Sequence, residues 1–233
     1  MSDQTSFVDD LLVRCADVVS QLKADEVLGS HIDPSLAVPR PFQGSGEIRL
    51  VVLGQDPTVE ELETRKRITT VLMLDEERSI LRRFIQTICK GLGLSLDENV
   101  YATNVCKNFF VERPEAVSDP DLIALSWVMW QDVLREEVNL FPNAAIVTLG
   151  KPVLKVLVKD GYQQDLKHYW GHVDGWKQRG RDSFRAVENE QSTIDRKFFP
   201  LPHVTNYTTT EFYQGNLDDY LAFIRASTER RAA

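Results

Sequence analysis

The stretch LVVLGQDPTVEE, residues 50–61, decides the reading of this chain. Four apolar residues run into Gly54 and are followed by Gln55, Asp56 and Pro57. A short apolar run closed by glycine suits a strand of a parallel sheet that is covered on both faces. A carboxylate at the end of such a strand must be solvated or used, because an unpaired buried charge is costly. Asp56 has three readings at this point: a turn or N-cap residue, since Asp-Pro opens turns, a metal ligand, or a catalytic carboxylate. No second carboxylate or histidine follows at metal-ligand spacing, and Glu60 and Glu61 read as the opening of a helix.

Three more stretches read as strands: VYATNVCKNFF (100–110), AAIVTLG (144–150) and FFPLPHVTN (198–206). Helical patterns separate them. Residues 6–28 repeat Phe7, Leu11, Cys15, Val18 and Leu22 at helical spacing, and residues 75–93 carry a stripe through Phe84 and Ile88. Asp119 and Pro120 suit the N-cap and first residue of a helix over 120–140. Residues 151–159 and 215–228 complete the helices, while 31–47 and 161–197 read as irregular. Alternating strands and helices predict an α/β protein, a three-layer α/β/α sandwich around a central, mainly parallel four-stranded sheet. The expected division is an N-terminal helix and loop, 1–45, packing on a domain of 46–228. Ligands of such sheets collect beyond the carboxyl ends of the strands. The segments there are GQDP, TNVCKN, GKP and PHVTN, which together predict one cleft.

Composition narrows the function. The chain has 233 residues, 42% of them hydrophobic, enough for one sizeable core. No apolar run approaches the ~20 residues of a membrane span, and the N-terminus lacks a secretory pattern. Cys15, Cys89 and Cys106 are scattered without a CxxC pair, which fits a reducing, cytoplasmic location. A net charge of −8 disfavours indiscriminate adhesion to nucleic acid. The basic stretch KQRGRDSFR, 177–185, reads either as a solvated loop or as a phosphate contact. His168 and His172 share a spacing that suits zinc but lack a third ligand, so a surface loop is the better reading. Gly150-Lys151-Pro152 is similar to a strand-to-helix anion turn, and neither dinucleotide nor P-loop motifs occur. Asn104 either caps a loop or presents a donor and an acceptor to the edge of a base. His203 is a structural residue or a site residue at a strand end.

In this order the motifs resemble the uracil-DNA glycosylase superfamily. VVLGQDP looks like its first active-site motif, TNVCKNFF like the segment holding a base-reading Asn, AAIVTLGKPVL like the strand and turn that follow, and PHVTNYTTTEFYQG like the His-containing last motif with its DNA-inserting loop. The resemblance implies excision of uracil or a related damaged base from DNA by base flipping and metal-free attack of water. It gives Asp56 the carboxylate that activates water and His203 a hydrogen bond to the departing base. Gln55, through its backbone, and Asn104, through its side chain, would bind the base, and Thr58 stands where other members exclude the thymine methyl with Tyr. Tyr207 would fill the gap left by the flipped nucleotide, with Thr205 and Lys151 on the DNA backbone. The aromatic residue that stacks on the base has no counterpart in RITTVLML, 67–74, and the Ser-Pro pair of the last motif is replaced. Three cysteines do not reproduce the four of the iron–sulfur branch, so no metal and no cofactor are expected. DNA is the expected partner and a monomer the expected state. The rival reading is a noncatalytic nucleic-acid or protein-binding module that keeps the glycosylase-like fold. A third is an α/β enzyme acting on a nucleoside or nucleotide.

Overall fold

A computed structural model describes residues 2–173, 177–178 and 184–229. The first half holds α1 (Ser2–Ala24), β1 (Ile32–Asp33), β2 (Phe42–Gln43), β3 (Leu50–Gly54), α2 (Leu62–Arg67), α3 (Ile80–Leu92), α4 (Leu96–Asn99), β4 (Val100–Asn104) and β5 (Phe109–Phe110). Then come α5 (Leu122–Asn139), β6 (Ala145–Leu149), α6 (Lys151–Leu157), α7 (Leu166–Tyr169), β7 (His172–Val173), β8 (Lys177–Gln178), β9 (Phe199–Leu201), α8 (Val204–Thr209) and α9 (Glu211–Glu229).

The central sheet has five strands, in the order β2-β4-β3-β6-β9, rather than the four expected. The four expected strands are parallel. The fifth, β2, lies in the stretch read as a loop and pairs antiparallel with β4, Phe42 opposite Ala102. Two residues carry no alternation, so the strand is made by its partner: Gly44 N–H donates to Val100 O at 2.8 Å. Every residue of β3 and β4 is buried, so helices cover both faces. Two sets of helices pack together, α3 with α4, α8 and α9, and α1 with α5 and α6.

Helix α3 begins at Ile80 rather than at 75, because the Ser79 hydroxyl accepts from Arg82 N–H at 3.3 Å. Its buried stripe is Phe84, Ile85, Ile88, Cys89 and Leu92. Each such side chain contributes about 1.5–3 kcal/mol by leaving water. The cap of α5 is Asp121, whose carboxylate accepts from Ala124 N–H at 3.0 Å, not Asp119. Leu11, Cys15 and Leu22 of α1 are buried in the same core as the sheet. Among the described residues no helix is long and apolar enough to cross a membrane.

Candidate active site

Chain order reverses between β3 and β6: the chain moves from β3 outward to β4, then returns across to β6 and β9. Loops leaving neighbouring strands in opposite directions open a crevice there. A cleft of about 650 Å³ lies at that point, lined by Gln55, Asp56 and Thr58 after β3, by Lys151 after β6, and by His203 and Thr205 after β9. Six of the residues singled out from the sequence are therefore gathered in one cleft. A larger adjoining groove of about 910 Å³ shares Gln55, Glu115, Lys151 and Pro152 with it but contains neither Asp56 nor His203.

The Asp56 carboxylate is fixed from two sides. Oδ1 accepts from Thr58 N–H at 2.8 Å, closing an Asx turn. Oδ2 accepts from Gln55 Nε2 at 2.9 Å. The same Nε2 donates at 2.8 Å to Oε1 of Glu115, an exposed residue on the short helical turn Pro114–Ala116. Asp56 keeps an open side to the cleft, yet protein crowds its carboxylate enough that burial pushes it up to about 6, against the hydrogen bonds from Thr58 and Gln55 and with the help of the Glu115 charge. The sequence had given Gln55 a backbone role. Its carbonyl is taken by Cys106 N–H at 2.9 Å, and its side chain bridges the two carboxylates.

The raised Asp56 has a stability consequence. Between its ordinary 3.8 and about 6 the folded protein holds a proton that the unfolded chain has released. Stability present at low pH is thus lost as pH rises through about 6. Asp56→Asn has nothing to ionise, so it is expected to be more stable than wild type at pH 8 by on the order of 1–2 kcal/mol and equal to it near pH 3. Urea unfolding at both pH values checks this; an equal difference at the two would overturn it.

The Thr58 hydroxyl does not point a free group at the cleft; it accepts from Phe110 N–H at 2.9 Å. Arg65, buried on α2, strengthens the same junction: its Nη1 donates to Phe110 O at 2.9 Å and Val111 O at 2.7 Å, and its Nε to Val59 O. The loop after β3 is thereby tied to the segment that leads to Glu115. Nothing local in the sequence marks Arg65 for this, since its partners are carbonyls 6 to 46 residues away.

His203 caps α8 rather than ending a strand. Its Nδ1 accepts from Thr205 N–H at 3.4 Å, which leaves a neutral ring with its proton on Nε2. Much of the residue faces solvent, but the cleft wall around the ring lowers its pKa through burial, with Glu115 opposing. Gly150 makes room for it. At φ 89 it sits where side chains are strained, and an added Cβ would stand 3.3 Å from His203 Cβ.

Asn104 is delivered to the sheet edge by register, directly opposite Gly54. It is only 1% exposed, and its Oδ1 is buried without a hydrogen-bond partner. It does not line the cleft. Leu72 does, and Leu72 Cδ2 and Asn104 Oδ1 converge above the Gly54 Cα, where a Cβ would overlap the oxygen and lie 2.7 Å from Cδ2. Leu72 and its neighbour Met73 both have positive φ, 58° and 50°. Such backbone costs on the order of 1–3 kcal/mol per residue and is held only by its surroundings. Gly54→Ala is expected to destabilise the fold by about 1–3 kcal/mol through overpacking. A melting temperature unchanged from wild type would show that Leu72 and Asn104 yield freely.

Beneath Asn104 lies a buried ion pair that the sequence did not signal. Lys107 Nζ faces Glu137 Oε2 at 2.5 Å, and Lys107 also donates to Thr103 Oγ1 at 2.6 Å and to Asn104 O at 3.1 Å. Glu137 Oε1 accepts from Tyr101 Oη at 2.8 Å. Leu11 and Cys15 of α1 line the same small void as Lys107 and Glu137. Tyr207 stands apart from the cleft, its ring centroid 4.9 Å from that of Phe84.

Among the described residues no three His, Cys, Asp or Glu side chains gather to hold a metal ion, and Cys15, Cys89 and Cys106 are buried and free. His168 meets Arg185 at 2.9 Å on α7. The centre of the basic stretch, residues 179–183, lies outside the described residues, as does the side chain of His172.

A comparison with curated proteins finds no match. The profile of the Uracil DNA glycosylase superfamily matches residues 41–222. That span runs from the edge strand to α9 and includes Asp56, Asn104 and His203. The chain therefore belongs to the uracil DNA glycosylase superfamily.

Proposed function

We propose that the protein is a DNA glycosylase that hydrolyses the N-glycosidic bond of uracil or a related damaged base, taking the base out of the stack into the cleft at the β3–β6 crossover. The observation that carries this reading is the Asp56 carboxylate, held by Thr58 N–H at 2.8 Å and Gln55 Nε2 at 2.9 Å in the same cleft as His203. As the bond to the base lengthens, positive charge grows on the sugar. Asp56 stabilises it and orients a water for attack. Negative charge grows on the base, and the Nε2 proton of neutral His203 is the donor for a base carbonyl. Asn104 reads the base edge, for which Leu72 must move aside and release its unpaired Oδ1. Tyr207 leaves Phe84 to fill the gap in the stack, while Thr205 and Lys151 on the cleft rim contact the backbone.

The test is a panel of single- and double-stranded oligonucleotides carrying uracil, hypoxanthine, xanthine or a thymine mismatch, scored for alkali-labile abasic sites. Cleavage by wild type and its loss in Asp56→Asn are expected. A second reading has one observation in its favour: the covered Asn104 carboxamide suits a noncatalytic DNA-binding module. DNA retention without any abasic product would select it.

A further inference from the structure

One feature of the cleft is unlike a single acid: two carboxylates share one amide. Gln55 Nε2 carries two hydrogens and spends them on Asp56 Oδ2 at 2.9 Å and Glu115 Oε1 at 2.8 Å. Two ionised carboxylates can only accept, so the nitrogen of Gln55 must face them both. We infer that Glu115 is a positioning residue for Asp56: it fixes the Gln55 carboxamide, and through it the carboxylate. This rests on the glycosylase reading only for its kinetic consequences.

The geometry is supported from each side. Asp56 cannot drift, because Oδ1 is held by Thr58 N–H and the Asx turn. Glu115 is brought within reach by the segment that Arg65 clamps to the loop after β3. The same charge acts on both ends of the cleft, since it raises Asp56 and works against the lowering of His203. The other charged groups lining the cleft are Glu60 after β3, Glu76 before α3, Arg113 and Lys151. Arg113 lies 3.8 Å from Glu60, a partner outside the shared amide. Cys106, buried beneath, feels the Asp56 charge but is held as the thiol mainly by burial.

Glu115 is exposed, so its substitution leaves the core intact. In Glu115→Gln the carboxamide oxygen still accepts from Gln55 while the charge is gone. In Glu115→Ala both are gone. Carbon-13 NMR of the Asp56 carboxyl, assigned by its loss in Asp56→Asn, follows ionisation without any need for catalysis. In Glu115→Gln the midpoint is expected to fall by about half a pH unit, and by less in high salt, because Glu115 is partly screened. In Glu115→Ala the fall is smaller, because the freed Gln55 also loosens the hydrogen bond that lowers Asp56. The excision rate above pH 8 should stay within about twofold of wild type in Glu115→Gln and drop about tenfold in Glu115→Ala, where Gln55 is no longer held. An unmoved midpoint in Glu115→Gln, or a Glu115→Ala plateau equal to wild type, overturns the inference. If wild type excises no base, the glycosylase reading fails and the NMR midpoint alone decides this one.

Discussion

Asp56→Asn is expected to lower base excision by about 10²–10⁴-fold with the fold retained. The asparagine carbonyl can still accept from Thr58 N–H, so the Asx turn that now spans 2.8 Å survives. What disappears is the carboxylate charge that, in the proposed mechanism, stabilises the sugar cation and orients the water. Because burial pushes Asp56 up to about 6, wild-type excision should also rise with pH through that value and level off above it. The rise follows from the sign of the shift: the carboxylate is the working form, and it is populated only above its own pKa. Single-turnover rates between pH 5 and 9 on the best oligonucleotide measure both effects. Asparagine activity within a few-fold of wild type would remove Asp56 from the chemistry.

The second large effect concerns stability. Lys107→Met is expected to destabilise the protein by about 3–5 kcal/mol, because it leaves Glu137 charged and unpaired in the core. Glu137 is fully buried and Lys107 nearly so, and the pair is satisfied only as a unit with Tyr101 and Thr103. Replacing the unit with apolar residues, as Lys107→Met, Glu137→Leu and Tyr101→Phe together, should recover most of the loss, since desolvating two charges offsets much of their attraction. Denaturant midpoints of the single and triple variants measure this. A single variant within 1 kcal/mol of wild type would mean the pair is open to water. The triple variant has a further use: Lys107 also bonds to Asn104 O at 3.1 Å, so excision by it reads how far the ion pair holds the residue proposed to read the base.

The strand at 50–54 was legible because its information is local. Four apolar residues followed by Gly-Gln-Asp-Pro can hardly be other than a covered strand with a turn at its end, and the motif order did the rest. The cleft followed from topology: once β3, β4, β6 and β9 are parallel, their carboxyl ends must share an edge. Edge strand β2 was missed because two residues have no period, and only the unpaired side of β4 makes a strand of them. His203 was placed at the end of a strand because the helix behind it, VTNYTT, has little apolar face to show.

The α/β architecture, the family and the place of Asp56 just after a strand are legible in the amino-acid sequence, because strand and helix periods and turn chemistry act over a few residues. Tertiary structure alone decided that Asn104 lies covered beside Leu72, that Glu115 reaches Gln55 across 60 residues of chain, and that Lys107, Glu137 and Tyr101 form one buried unit. The physical reason is the same in each case. Burial, pKa and pairing depend on which distant segments the folded sheet brings within about 3 Å of one another.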